Sequence, residues 1–198
     1  LKLGDISQAR AYDEALVLNG EKLNELRFSL VKDTEIVYQE LVRSLVSEND
    51  RAKIFSEVTA ELFPGYDSTI GLQIDLNNTG PNDLRRRSTT KGPHKADIIF
   101  ESKGSLIKDK FSRGEQKLLS ILWSMSQNIM LGRVYNLRPI LLLDDLSSEL
   151  DSEMLECFLP ALKYIENRFI FSNIVDVFGS KIDNSNQQLK KFHVEQIT

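Results

Sequence analysis

The chain has 198 residues, 41% of them hydrophobic and 27% charged, an ordinary soluble composition with enough apolar sequence for one well-cored domain and an extension. Its net charge of −4 and pI near 5.3 supply no overall basic face for nucleic-acid phosphates and leave room only for a local basic patch. No apolar run approaches membrane-spanning length, no signal peptide opens the chain, and its single cysteine, Cys157, excludes an intrachain disulfide and fits a reducing, cytoplasmic setting as a core residue rather than a nucleophile.

The chain opens at Leu1 rather than Met, within helical sequence, as expected of a fragment of a longer protein. From Asp5 to Ser47 it is charged and poor in Gly and Pro, with Leu16, Leu23, Leu30 and Val37 at sevenfold spacing and Leu26, Leu41 and Leu45 between them. This pattern predicts a long helix: a coiled-coil arm on the sharper reading, an amphipathic helix packed on a globular body on the plainer one. Gly20 weakens it locally. Asn49 or Asp50 then caps a second predicted helix, whose apolar face of Ile54, Phe55, Val58 and Leu62 stops before Pro64. Residues 1–63 are thus expected to form a helical arm, and 64–198 a separate globular part.

Beyond Pro64-Gly65 the apolar period changes to two: Ile70, Leu72, Ile74 and Leu76 predict a half-buried strand, with a turn over Asn77 to Asn82. The basic run RRRSTTK, residues 85–91, has no apolar anchor and reads as a solvated loop, with a DNA contact as the secondary possibility. Residues 97–107 predict a hairpin, Ile98 to Phe100 on one strand, Lys103-Gly104 at the turn and Leu106-Ile107 on the return. His94 reads as a loop histidine bonded to backbone; with two histidines and no clustered ligands, a zinc site has no support.

The densest chemistry lies in residues 111–151. In FSRGEQKLLS, Ser112 and Glu115 are spaced as a capping box, and Gly114 lets backbone approach a ligand. Leu118, Ile121, Leu122, Met125 and Ile129 then define one buried helix face, so the N-terminal amides of that helix form an anion site suited to phosphate. Taken alone, Ser112 need only be a helix cap. After that helix, Ile140 to Leu143 make an apolar run opened by Pro139 and closed by Asp144 and Asp145, which predicts a fully buried parallel strand delivering carboxylates at its C-terminal edge. Such a pair suits Mg²⁺ binding by Asp144 and acceptance of a proton from water by Asp145. Ser148 and Asp151 repeat the capping arrangement. Met154, Leu155, Phe158, Leu159 and Leu162 form the buried face of the next helix, and Phe169 to Phe171 the next strand, parallel to the first through a right-handed crossover. Phe192, Val194 and Ile197 alternate as a final edge strand.

SRGEQ resembles the signature motif of ABC-type ATPases, ILLLDD their Walker B strand and SSELD their D-loop. The order GPHKAD at Gly92, SRGEQKLL at Ser112, LLLDDLSSELD at Leu141 and FIFSNI at Phe169 is similar to the C-terminal half of the RecF family of bacterial replication and repair proteins, strongly over residues 92–198 and more loosely over 12–66. The implied fold class is α/β, the C-terminal lobe of an ABC-type ATPase head with a parallel βαβ core and antiparallel hairpins, plus the helical arm. The implied cofactors are ATP and Mg²⁺. By resemblance Ser112, Arg113, Gly114, Glu115 and Gln116, with Ser148 and Asp151, face a nucleotide, Asp144 takes the metal, and Asp145 is the base. Ser172 stands where ABC ATPases usually have a γ-phosphate-sensing histidine, a departure shared by the RecF branch. That family usually carries an amphipathic helix before GPH, and the interval here reads as too short for one.

No G-x-x-x-x-G-K-[ST] loop occurs in the sequence, so these residues alone are expected not to hydrolyse ATP. The resemblance implies an ATP-dependent head-to-head homodimer, action at double-stranded or gapped DNA, recombinase loading and RecR- and RecO-type mediator partners, with no membrane. Two other classes stand beside it: a different ABC-type ATPase with an arm, such as an SMC relative or a transporter subunit, disfavoured by GPHKAD and the short arm; and a structural coiled-coil module, disfavoured by acids at the end of a buried strand.

Overall fold

Helix α1, Asp13–Glu48, runs 36 residues because nothing in that stretch except Gly20 opposes helix formation. A computed structural model describes residues 12–137, 139–144, 146, 150–164 and 169–171; the expected first turns of α1, from Asp5, and the alternating residues 192–197 lie outside that range. The chain divides into two compact units whose boundary falls inside α1. One comprises the chain to Val37 with Glu57–Lys110, the other Tyr38–Ser56 with everything from Phe111 onward.

In the first unit α1 turns Gly20, Asn24, Val31 and Thr34 inward, while Leu23 and Leu30 of its sevenfold series and Leu26 between them stay 41%, 40% and 63% exposed. Strands β1 (Val58–Phe63), β2 (Asp97–Ser102) and β3 (Ser105–Leu106) form an antiparallel sheet in the order β1-β2-β3, with Val58 opposite Ser102 and Phe63 opposite Asp97. The β2-β3 turn is the expected Lys103-Gly104, at φ 52° and 71°, the pair of left-handed residues that a tight hairpin needs to match strand twist. Ile107 opens a short helix, Ile107–Lys110, rather than extending the return strand. The Glu35 carboxylate accepts the Ala60 N–H at 3.0 Å, which satisfies a donor on β1 from α1.

Expectations for residues 49–86 are corrected. The second helix ends early: Asn49 does cap it, accepting from the Arg51 amide at 3.0 Å, but after the 3₁₀ turn Asp50–Ala52 the helix α2 covers only Lys53–Ser56, and Val58 and Leu62 belong to β1. A separation of four residues fits one helical turn and also two strand repeats, so those positions cannot distinguish the two. The predicted strand at 70–76 is the start of helix α3, Leu72–Arg86. Its period-two pattern concealed a pair four apart: Leu72 and Leu76 are buried, whereas Ile70 and Ile74 stay exposed. The predicted turn at Asn77 to Asn82 lies within α3, Pro81 included, and the Thr79 hydroxyl, donating to the Asp75 carbonyl at 3.1 Å and to Asp83 Oδ2 at 3.2 Å, braces that stretch. A helix therefore does precede the GPH segment, and Arg85 and Arg86 are its last turn rather than a loop.

In the second unit Tyr38, Leu41, Val42 and Leu45 of α1 are buried, and the Tyr38 hydroxyl donates to the Phe55 carbonyl at 2.9 Å. With the 107–110 helix counted as α4, the chain continues into α5 (Arg113–Tyr135), β4 (Leu141–Leu143), α6 (Ser152–Phe158), a 3₁₀ segment (Leu159–Tyr164) and β5 (Phe169–Phe171). Strands β4 and β5 pair in parallel, Leu141 with Phe169 and Leu143 with Phe171, as expected of a βαβ unit. Contrary to the fully buried strand expected from its continuous hydrophobicity, the β4 run is not buried throughout. Leu143 is covered, but Leu142 is 69% exposed because successive residues face opposite sides of the strand.

Candidate nucleotide-binding site

The signature segment is assembled by its own local hydrogen bonds. Ser112 caps α5: its Oγ accepts the Glu115 amide at 3.3 Å, and Glu115 Oε2 accepts the Ser112 amide at 2.7 Å, closing the expected capping box. The Gln116 side chain reaches back and donates Nε2–H to the Phe111 carbonyl at 2.8 Å. Glu115 and Gln116 are thus engaged in shaping the turn. Ser112 and Arg113 are exposed, and, among the described residues, the Arg113 and Gly114 amides at the first two helical positions have no protein acceptor. They are the donors this helix end offers an anion.

The turn is held from beneath by packing. Phe111 meets Phe55 edge-on at 5.7 Å between ring centroids, and Tyr38 meets Trp123 at 5.9 Å. The expected helix face is in place, with Leu118, Ile121, Leu122 and Met125 buried and Ile129 half-buried. Arg133, near the far end of α5, pairs with Glu40 at 2.6 Å. Asn128 donates Nδ2–H to the Pro139 carbonyl at 3.4 Å, tying α5 to the entry of β4. Gln116, expected by resemblance to face a nucleotide, bonds backbone with its side-chain amide, and Asn128 is a contribution that the sequence does not mark, since nothing in residue type alone distinguishes an amide bonded to backbone from one in solvent.

Asp144 follows β4 and is exposed, as a carboxylate at the C-terminal edge of a parallel strand should be. Asp145, Ser148 and Ser172 lie outside the described residues. Asp151 is itself the N-cap of α6, accepting the Met154 amide at 2.8 Å, so the helix begins at Ser152. Arg51 and Glu153 form an exposed ion pair beside it. Among the described residues no three His, Cys, Asp or Glu side chains cluster as a metal cage. Burial pushes the Cys157 thiol up, with a smaller opposing effect from Arg51, which makes it a poor nucleophile and consistent with a core role. His94 donates its Nε2–H to the Thr89 carbonyl at 3.0 Å, a backbone-bonded loop histidine as expected.

No protein-family model matches the chain. The DNA replication and repair protein RecF of Acinetobacter baumannii (strain ATCC 17978 / DSM 105126 / CIP 53.77 / LMG 1025 / NCDC KC755 / 5377) is 36% identical over 132 residues, covering 67% of this chain and 34% of the relative. The RecF proteins of Coxiella burnetii (strain Dugway 5J108-111) and Nitrosococcus oceani are 27% and 28% identical over 88% and 95% of the chain. The chain is related to RecF. It spans about half the length of these two relatives, 46% and 50%. A solved structure titled as the recombination mediator protein RecF-ATPrS in the RecFOR pathway superposes with a TM-score of 0.59 over 88% of this chain and 47% of the other, at 20% identity; a companion titled RecF-ATP gives 0.54 over 83% and 45%, at 22%. The fold is therefore the α/β fold of those RecF structures. Among the described residues of this RecF-related chain, no helix is long and apolar enough to cross a membrane.

Proposed function

We propose that this chain supplies the signature motif, the Walker B strand and the D-loop of a RecF-like, ATP-dependent DNA-binding protein of recombinational repair and replication. The observation that carries the reading is the turn before α5: a closed capping box that leaves Ser112 exposed and, among the described residues, gives the Arg113 and Gly114 amides no acceptor, followed in the same unit by a parallel strand with Asp144 directly after it. An N-terminal helix end of this kind complements negative charge, and a paired acid after a parallel strand suits a hydrated Mg²⁺ and an attacking water. ATP brings the phosphates and the metal its charge. In this reading Ser112, Arg113 and Gly114 contact the γ-phosphate of a nucleotide held mainly by a second copy of the protein. Glu115 and Gln116 set the turn, Asp144 takes one Mg²⁺ position, Asp145 orients the water, and Ser148, Asp151 and Ser172 complete the surroundings.

Because signature and phosphate-cradling loop then come from different copies, ATP joins two heads, with α1 as the arm beside each. The dimer acts at duplex or gapped DNA with RecR- and RecO-type mediators, in the cytoplasm. The titles of the similar structures, which name ATP and the RecFOR pathway, support this assignment. Sedimentation of the complete protein tests it: Ser112→Arg should retain ATP binding by the monomer and lose ATP-dependent dimerisation. If dimerisation persists in Ser112→Arg, Ser112 is only a helix cap, whose loss costs about 1 kcal/mol.

A further inference from the structure

We infer that Arg85, Arg86 and Arg87, at the C-terminal end of α3, form a contact for the phosphate backbone of duplex DNA. The proposal rests on the DNA-binding reading above and adds the surface that carries it. Between Arg85 and Lys95 the sequence holds five basic residues and no acid, in a chain of net charge −4. The fold sorts these cations. Lys91 pairs at 3.2 Å with the buried Asp75, which also accepts the Asp67 amide at 2.8 Å, so Lys91 is spent on structure.

Asp83, the acid nearest in sequence to the arginines, is occupied as well. Its Oδ1 accepts the Thr90 hydroxyl at 2.6 Å and the Thr90 amide at 3.0 Å, and its Oδ2 accepts the Thr79 hydroxyl at 3.2 Å. Arg85, Arg86 and Arg87 are exposed, and among the described residues no carboxylate pairs with them. The following loop is ordered by the same bonds and by His94, whose ring meets the Thr89 carbonyl at 3.0 Å.

Helix chemistry accounts for only part of this. Cations in a last turn complement the helix dipole, which explains Arg85 and Arg86. It does not explain Arg87, which ends the helix at φ 55°, a left-handed conformation that glycine or asparagine holds with less strain. Three consecutive guanidinium groups on a braced helix end, with no carboxylate partner among the described residues, suit successive phosphates, because each planar fork can bond two oxygens. An acidic protein surface is the competing partner, and the measurement below separates the two.

The test measures binding of a labelled duplex by the complete protein with ATP and Mg²⁺, by fluorescence anisotropy between about 50 and 200 mM salt. Arg85→Ala/Arg86→Ala leaves the helix-ending residue in place, and a triple variant adds Arg87→Asn, which suits the left-handed turn. Each lost phosphate contact should make the plot of log affinity against log salt shallower by about 0.9, hence by about 1.8 and 2.7 for the two variants. Removing the same charge at the exposed Lys22 and Arg43 should leave the slope unchanged, and replacing all three arginines by lysine should keep most of it. A wild-type slope in the triple variant, or an equal loss in the Lys22/Arg43 control, overturns the patch while the DNA-binding reading stands. Absence of duplex binding by the wild type overturns both.

Discussion

Gly20 lies so close to Pro93 that a Cβ on the glycine would sit 2.7 Å from the proline Cγ and 3.1 Å from Leu72 Cδ2. The sequence pattern marks Gly20 as the weak point of α1; packing shows why that weakness is tolerated. One turn further on, Asn24 donates to the Pro64 carbonyl at 2.8 Å, and Arg27 donates to the Pro93 carbonyl at 2.7 Å. The two loops are joined to each other by the Gly92 amide and the Gly65 carbonyl at 3.0 Å, and Gly65, at φ 88°, has no room for a side chain, since a Cβ would fall 2.1 Å from the Gly92 carbonyl oxygen. Gly20→Ala gains about 1 kcal/mol of helix propensity and loses about 1–3 kcal/mol to overpacking. The expected result is a net loss of stability and a lower Tm by calorimetry. A higher Tm would mean that Pro93 yields freely.

Asp151 offers a way to separate capping from chemistry. Asp151→Ala removes the bond to the Met154 amide and should cost about 1 kcal/mol in denaturant unfolding, whereas Asn caps about as well and Asp151→Asn should fall within a few tenths of wild type. If the Asn variant of the complete protein keeps its stability yet loses ATP-dependent dimerisation, the carboxylate has a role in the site beyond the cap.

The paired acids should differ in kind. In the complete protein Asp145→Asn should still permit ATP-driven dimerisation and slow hydrolysis by roughly 10² or more, while Asp144→Asn should also weaken Mg²⁺-dependent nucleotide binding. Turnover by Asp145→Asn at the wild-type rate would show that another group orients the water.

Cys157 is buried within the second unit, and its thiol is shifted upward chiefly by that burial. Its reaction with an aromatic disulfide reagent near pH 8 should be slower by about 10² or more in the folded protein than in denaturant. A folded pKa raised above the unfolded one favours the protonated thiol. The stability it contributes is therefore present below the unfolded value, about 8.5, and is lost as pH rises through the higher folded value. Rapid labelling of the native chain would place the thiol at the surface.

Elements whose determinants are local could be read directly. The long α1, the Lys103-Gly104 hairpin, the Ser112-Glu115 box and the parallel β4-β5 pair depend on spacing, turn chemistry or a short apolar run, all contained in a few consecutive residues. The family motifs are equally local, which is why SRGEQ and LLLDD located the candidate site. What failed were assignments in which two periodicities coincide. Val58 and Leu62 fit helix and strand alike, and only β2, distant in sequence, makes them a strand by pairing with them. Leu72 and Leu76 fit both as well, and only burial on one face makes them a helix. The sorting of cations around α3 was beyond any sequence pattern, because Asp75 takes Lys91 and Asp83 takes Thr90 through contacts that exist only once the helix and its following loop are folded together. By itself the sequence determined the local elements and the chemistry of the motifs; the tertiary structure decided which apolar faces are covered and which charges remain free, since both depend on neighbours far along the chain.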